Sequence, residues 1–358
     1  MNTPSAKVVF LGCPLDPDEK HDSIQEKCSA MRGMGTTDDP YEAVMEIIRR
    51  EVRAELWEEK GSVSVSDWLR PVPPPEERSR VTAEQFVDFI DRDGCRTFAD
   101  RLAVWIDEIL PAVPCLIGVD HSLTGGTLRP LARRYGAENL AVVILDSHTD
   151  AVPMPVLSDA IQYDIETNPA SVYDRNDPLL YHRADSYNAS SFLHHLLMEE
   201  VVLPRNLYLI GVGDFPEKRA VRIRDERMAR YVGVYTALKK RGVTLVTKKE
   251  CLVNPSKVKT LLGRMSQPYL YVSVDMDIGA RNAVEGVRFR DRQGLQERQI
   301  YALVDILRGI LSRGTRLAGL DVVEFNPRRA GSPFSGGDPT YRIAANLIER
   351  IAFGMALL

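Results

Sequence analysis

Short, near-continuous apolar runs separated by amphipathic stretches constrain this chain more than any other feature. The runs are residues 8–11, 113–117, 140–145, 207–212, 243–246, 269–274 and 317–323. They carry Val, Ile and Leu at successive rather than alternate positions, which is the pattern of strands covered on both faces. Segments with helical spacing lie between them. Residues 97–110 place Phe98, Leu102, Trp105, Ile106, Ile109 and Leu110 on one face, residues 296–311 carry spaced Ile and Leu, and 341–357 read as a further helix. Strands alternating with helices predict an α/β chain, a three-layer αβα fold around a mostly parallel sheet. With 358 residues and 44% hydrophobic content the core can be large, and we read residues 1–358 as one domain with insertions near 16–75 and 151–191. The first insertion ends in Pro71-Val72-Pro73-Pro74-Pro75 and is predicted to hold a helix over 41–57 and a short strand over 63–68. The second, with Pro153, Pro155, Pro169 and Pro178, reads as a long loop beside the site.

In open parallel sheets functional groups gather beyond the carboxyl ends of the strands. Here the run 140–145 leads into Asp146-Ser147-His148-Thr149-Asp150, and 269–274 leads into Asp275-Met276-Asp277. The run 113–117 leads into Gly118-Val119-Asp120-His121-Ser122, and 317–323 into Glu324. In an extended backbone, positions i, i+2 and i+4 point to one side, so Asp146, His148 and Asp150 are expected to converge. Four carboxylates gathered in one place repel unless cations neutralise them. His121, Asp146, His148, Asp150, Asp275 and Asp277 therefore read as the ligand set for two divalent metal ions. Mixed oxygen and nitrogen donors suit Mn2+, with Ni2+, Co2+ and Fe2+ also compatible. A water shared by two such ions loses a proton near neutral pH, which makes hydrolysis the expected chemistry. Asp120 is expected behind His121, bracing an imidazole or a backbone amide.

These blocks resemble the ureohydrolase superfamily of arginases, agmatinases and formimidoylglutamases. Its Gly-x-Asp-His-Ser, Asp-x-His-x-Asp, Ser-x-Asp-x-Asp and Glu-x-Asn-Pro blocks stand here, in that order, at residues 118–122, 146–150, 273–277 and 324–327. The resemblance covers most of the chain from about residue 113 onward, plus the opening strand and Pro14. It implies an arginase-like fold and a binuclear manganese site, with some of the carboxylates bridging. It also implies hydrolysis of a C–N bond in a small guanidino or amidine substrate, and a homo-oligomer, trimeric or hexameric. Glu324 is then expected to hold a cationic amidinium through two parallel hydrogen bonds. Asp150, beside the nucleophile, is expected to carry its proton to the leaving amine. Two other readings stand beside this one: a formimino-group hydrolase, and a metal-holding subunit of the same fold without turnover.

The chain departs from the family in two places. Where arginases and agmatinases carry a His-Gly-x-Pro-Phe type block, this chain has Asn188-Ala189-Ser190-Ser191-Phe192, which sets Asn188 at the position of the proton-transfer His and near the substrate. The Asp-Pro that follows the Ser-x-Asp-x-Asp block is replaced by Ile278-Gly279-Ala280-Arg281-Asn282. His182, His194 and His195 are the available substitute shuttles, the last two on a helix predicted over 191–198. Arg288 and Arg290 either reach a substrate carboxylate or form a solvated basic turn. Gly125-Gly126 reads as close helix–sheet packing rather than a phosphate turn. A net charge of −4 with mixed signs gives no sign of nucleic-acid or membrane partners. Five scattered cysteines and the lack of a leader-like or membrane-length apolar run fit a cytoplasmic chain.

Overall fold

The computed structural model describes residues 7–30, 38–171, 173–180, 183–290, 293–331 and 337–354. Among these, eight strands form one sheet: β1 (Val8–Cys13), β2 (Trp57–Ser62), β3 (Val113–Gly118), β4 (Leu140–Leu145), β5 (Leu207–Val212), β6 (Thr244–Thr247), β7 (Tyr269–Asp275) and β8 (Arg316–Val323). Their order is β2-β1-β3-β8-β7-β4-β5-β6, with every pairing parallel. Alternate side chains enter different layers, which is why both parities of each run are apolar. Phe10, Ile117, Val143, Leu145, Val272, Val274 and Val322 pack into the layer of helices Pro40–Glu51, Pro255–Leu262, Glu297–Leu311 and Thr340–Ile348. Val142, Ile144, Leu209 and Tyr271 face helices Thr124–Tyr135, Phe192–Met198 and Glu226–Lys240, while Leu11 and Leu116 face Gly94–Ile109. The result is the three-layer αβα architecture. Burial of each such strand residue stabilises the fold by about 1.5–3 kcal/mol.

All seven apolar runs became strands. The eighth, β2, was missed because its sequence, Trp57-Glu58-Glu59-Lys60-Gly61-Ser62, is polar. It lies at the sheet edge, where exposed charges guard unpaired backbone groups and no second covered face demands apolar residues. Its helix partner also ends earlier than expected. The helix is Pro40–Glu51, Val52 turns extended, and residues 63–66 carry no strand. Residues 151–191 are likewise more ordered than a long loop, since helix Met154–Thr167 opens the segment. Pro153 stands at its N-cap and Pro155 in its first turn, where a missing N–H has no partner to lose, so these prolines mark a helix start. Helix His21–Ala30 gave no clear periodic signal.

Register decides what this sheet can present. Leu145 pairs with Val274, Val274 with Val322, and Val322 with Ile117, so β4, β7, β8 and β3 end level with one another. The residues that follow them emerge side by side at the middle of one sheet edge.

Candidate functional site

Beyond Leu145 the chain leaves the strand, so convergence there comes from a tight turn and not from the alternation of an extended backbone. The Asp146 side chain accepts from the His148 backbone N–H at 2.6 Å, and Asp275 accepts from the Asp277 N–H at 2.7 Å. Asp277 in turn accepts from the Ser147 N–H at 3.2 Å, which ties the two turns together. In each pair one carboxylate oxygen holds the loop and the other is left for the site. Asp150 (φ 49°) and Glu324 (φ 66°) both adopt the left-handed conformation, rare for residues other than glycine. Such geometry costs on the order of 1–3 kcal/mol, and it persists where the surroundings fix it, commonly at functional sites.

Two donor clusters result. His121 Nδ1 lies 3.2 Å from Asp146, 2.9 Å from Asp150 and 3.2 Å from Asp275. His148 Nδ1 lies 2.9 Å from Asp277 and 3.6 Å from Asp146. Within each cluster, His121/Asp146/Asp150/Asp275 and Asp146/His148/Asp277, the donor atoms fall within 4.8 Å of one another, a grouping that could hold a metal ion. Asp146 belongs to both. His121 Nδ1 and Asp146 Oδ2 are fully buried without a hydrogen-bond partner, a condition that an ion between them would relieve. The other ring nitrogen of His121 meets Ser273 Oγ at 3.0 Å, and Ser273 donates to Asp321 at 2.5 Å. Asp321 also accepts from Tyr271 and, at 2.7 Å, from Thr124.

Charge in this basin is frustrated without cations. Burial, reinforced by the Asp146 charge, pushes Asp150 well above the usual carboxylate range, and burial with Asp277 and Asp146 does the same to Asp275. Burial opposes protonation of His121 and His148, yet the surrounding carboxylates outweigh it and raise both imidazoles. The clustered carboxylates thus favour added positive charge, which is the behaviour expected of a cation site.

The clusters open onto a cavity of about 180 Å³, suited to a small ligand. Its apolar wall includes Val152, Met154, Leu157, Ile161 and Phe289, the last set edge-on to His148 with ring centroids 4.7 Å apart. Glu324 also lines the cavity, with Arg288 and Asp120. It does not present a free fork: Arg288 Nη1 donates to Glu324 at 2.9 Å and to Asp120 at 3.0 Å. Burial and Asp120 push Glu324 up while Arg288 holds it down, and it settles at about 7.

Comparison with known proteins places this geometry in a family. The sequence pattern of the Arginase family matches residues 7–354. The chain belongs to the arginase family. No curated protein sequence matches it. Among solved structures, the arginase-family fold is shared with the arginase from Bacillus subtilis, at 17% identity over 97% of this chain and 98% of that one, with a TM-score of 0.59. It is shared with a formiminoglutamase from Trypanosoma cruzi with Mn2+, at 15% identity, 98% and 94% coverage and a TM-score of 0.58. The agmatine ureohydrolase of Thermoplasma volcanium matches at 18% identity, 97% and 89% coverage and a TM-score of 0.53.

The six expected donors come together, and Asp120 braces a backbone amide as expected, accepting from the Ser122 N–H at 3.1 Å. Asn188 lines the cavity, but its amide closes a local turn, accepting from the Ser190 N–H at 2.9 Å and donating to Ser186 O at 3.3 Å. Arg288 is neither a solvated turn nor a free anchor for a substrate carboxylate; it is buried against the chain's own acids. Arg290 is the surface residue, 3.5 Å from Glu285. His194 and His195 lie near Asp185, at 3.6 and 3.9 Å, and do not line the cavity; His182 lies outside the described residues. Asp18, Lys20, Tyr173 and Asp214 line the cavity and were missed. Asp214 was findable, because it lies two residues beyond β5, as Asp120 lies two residues beyond β3. It accepts from Thr149 N at 3.1 Å and Thr149 Oγ1 at 2.6 Å, tying down the turn that carries His148 and Asp150.

Proposed function

We propose that this chain is a two-metal hydrolase that cleaves a C–N bond at a planar carbon of a small, linear substrate of the amidine or amide type. The observation that carries the reading is the pair of buried clusters sharing Asp146, with an orphaned imidazole nitrogen and carboxylate oxygen in the first of them. His121, Asp146, Asp150 and Asp275 would hold one ion, and Asp146, His148 and Asp277 the other. Their oxygen-rich donor set suits Mn2+. When bound, two divalent ions supply an activated water for attack on the planar carbon. Asp150 stands at the cavity with one oxygen, Oδ2, on His121; its Oδ1 is the atom to carry a proton to the leaving nitrogen. Val152, Met154, Leu157 and Ile161 keep bulk water from the reacting group. The guanidino reading drawn from sequence requires a free Glu324 fork, and the Arg288 contact bears directly on it.

The chain purified with manganese should hold about two equivalents of metal, and Asp146→Ala clearly fewer. Screening guanidino, formimino, ureido and carboxamide compounds for release of ammonia or amine tests turnover. Asp150→Asn should lower the rate about 10²–10⁴-fold or more where metal is retained. A chain that binds no manganese, or that hydrolyses its substrate equally well as Asp150→Asn, refutes the reading.

A further inference from the structure

The strand-end carboxylate that faces the two clusters already holds a guanidinium, and that guanidinium belongs to the chain. Glu324 Oε1 accepts from the His121 backbone N–H and from Arg288 Nη1, both at 2.9 Å. The same Nη1 reaches Asp120 at 3.0 Å, and Arg288 Nε lies 3.2 Å from Asp16. Asp16 is itself held by Lys27 at 2.9 Å and Arg328 at 3.5 Å. The backbone fixes the arrangement as firmly as the side chains do. Arg288 N–H donates to Glu324 O at 3.0 Å, Val287 bridges Phe325 in antiparallel fashion, and Arg329 donates to Val287 O at 2.9 Å. The Arg288 side chain is only 9% exposed. Removing a buried charge from such a set typically destabilises strongly, because its partners stay buried without compensation. A substrate cation therefore does not displace Arg288 cheaply.

The occupied carboxylate changes what the site can recognise. A bidentate clamp on an amidinium needs both carboxylate oxygens, and Glu324 has committed Oε1 to two donors. A second cation placed beside Arg288 would also meet its repulsion in a basin where water screens poorly. What is left at this wall is one donor and one acceptor. Neither Arg288 Nη2 nor Glu324 Oε2 makes a hydrogen bond among the described residues, and both residues line the cavity with His148, Asp150, Asp275 and Asp277. A guanidinium offers donors alone and leaves Nη2 facing N–H groups. A neutral amide or ureido group offers a C=O and an N–H, which match the pair. We propose that Arg288 is a built-in counter-cation for Glu324 and a specificity determinant, and that the group cleaved here is an electrically neutral carboxamide or ureido group, its carbonyl oxygen taken by Arg288 and its N–H by Glu324. Water adds to the carbonyl carbon, the C–N bond breaks with its electron pair on the departing nitrogen, and that nitrogen takes up a proton given by the water through Asp150. The products are an amine or ammonia and the corresponding carboxylic or carbamic acid.

This inference rests on the two-metal hydrolase reading, and the experiment separates the two. Isosteric pairs that differ only at the reacting group are titrated calorimetrically into manganese-loaded full chain: arginine against citrulline, agmatine against N-carbamoylputrescine, and guanidinium ion against urea. The proteins are the unmodified chain, Arg288→Met, Arg288→Lys and Glu324→Gln, each with its manganese content measured. In the unmodified chain the neutral member of a pair should bind about tenfold or more tightly than its cationic partner. Arg288→Met frees the carboxylate and should reverse that order, while Glu324→Gln should leave the cationic members no tighter. If Arg288→Met does not fold, Arg288→Lys decides: it keeps the charge and should keep the order with a smaller ratio. Tighter binding of the guanidino members to the unmodified chain, an order that Arg288→Met leaves unchanged, a ratio that Arg288→Lys leaves unchanged, or no binding of any neutral member overturns the inference. Failure to load manganese would count against the hydrolase reading; a loaded chain that prefers guanidinium would count only against this one.

Discussion

At His121 the ring nitrogen turned away from the carboxylates matters as much as the one turned toward them. Ser273 and Asp321 fix the imidazole's orientation, and groups behind a ligating histidine commonly set metal affinity by factors of about 10–100. Asp321→Asn is therefore expected to weaken manganese binding by about that factor with the circular dichroism spectrum unchanged, as read by competition with a chelator. Equal affinity in both proteins would show that Asp321 merely fills the strand. The six donors were legible in the sequence because each follows an apolar run and so lies at the end of a strand. Asp321 was not, because it sits inside such a run, where one acid among Leu320, Val322 and Val323 carries no periodic signal. Arg288 was visible as a charge near the second Asp pair. Its partners Asp16, Asp120 and Glu324 come from three distant segments, and local spacing carries no information about such contacts.

At the scale of elements, helix Thr124–Tyr135 shows where packing overrides propensity. The sequence offered Gly125-Gly126 as a site of close helix–sheet packing; the close neighbours are instead another helix and a tyrosine. A methyl group on Gly126 would stand 2.4 Å from the carbonyl oxygen of Ala99 in helix Gly94–Ile109. One on Gly125 would meet the hydroxyl of Tyr187, which donates to Ser122 O at 2.5 Å and steadies the turn carrying His121. Helix propensity alone predicts that Gly→Ala stabilises by about 1 kcal/mol. Because backbone cannot yield as a side-chain tip can, Gly126→Ala is expected to have the opposite sign and to destabilise by about 1–3 kcal/mol. Urea unfolding gives the sign directly, and a raised midpoint would mean that the two helices slide apart without penalty. The same contrast explains what the sequence showed of the sheet. Central strands are apolar because both faces are covered, whereas β2 escaped detection because an edge needs charge more than it needs Val or Ile.

At the scale of the whole molecule, a buried charge network joins residues 16–30 to the strand ends. Asp16 contacts Lys27 from helix His21–Ala30, Arg288 from the segment beside the site and Arg328 after β8, and its side chain is 1% exposed. The network is unequal. Burial raises Asp16, but Lys27, Arg288 and Arg328 together bring it down to about 2, whereas burial pulls Lys27 to about 8 and Asp16 recovers only part of that loss. For Asp16 the sign of the pH dependence follows. The ionised form is favoured in the fold relative to an unfolded carboxyl near 3.8, so its contribution is fully present above pH 4 and is lost as pH falls towards 2. Asp16→Asn removes the charge and leaves Lys27 buried without it, which should cost about 3–5 kcal/mol near neutral pH. That cost should shrink steadily as urea unfolding is repeated from pH 4 down to pH 2, where the natural carboxyl is becoming protonated as well. A cost that stays constant over this range would mean that Asp16 acts through shape rather than charge, and that helix His21–Ala30 is held to the site by packing alone.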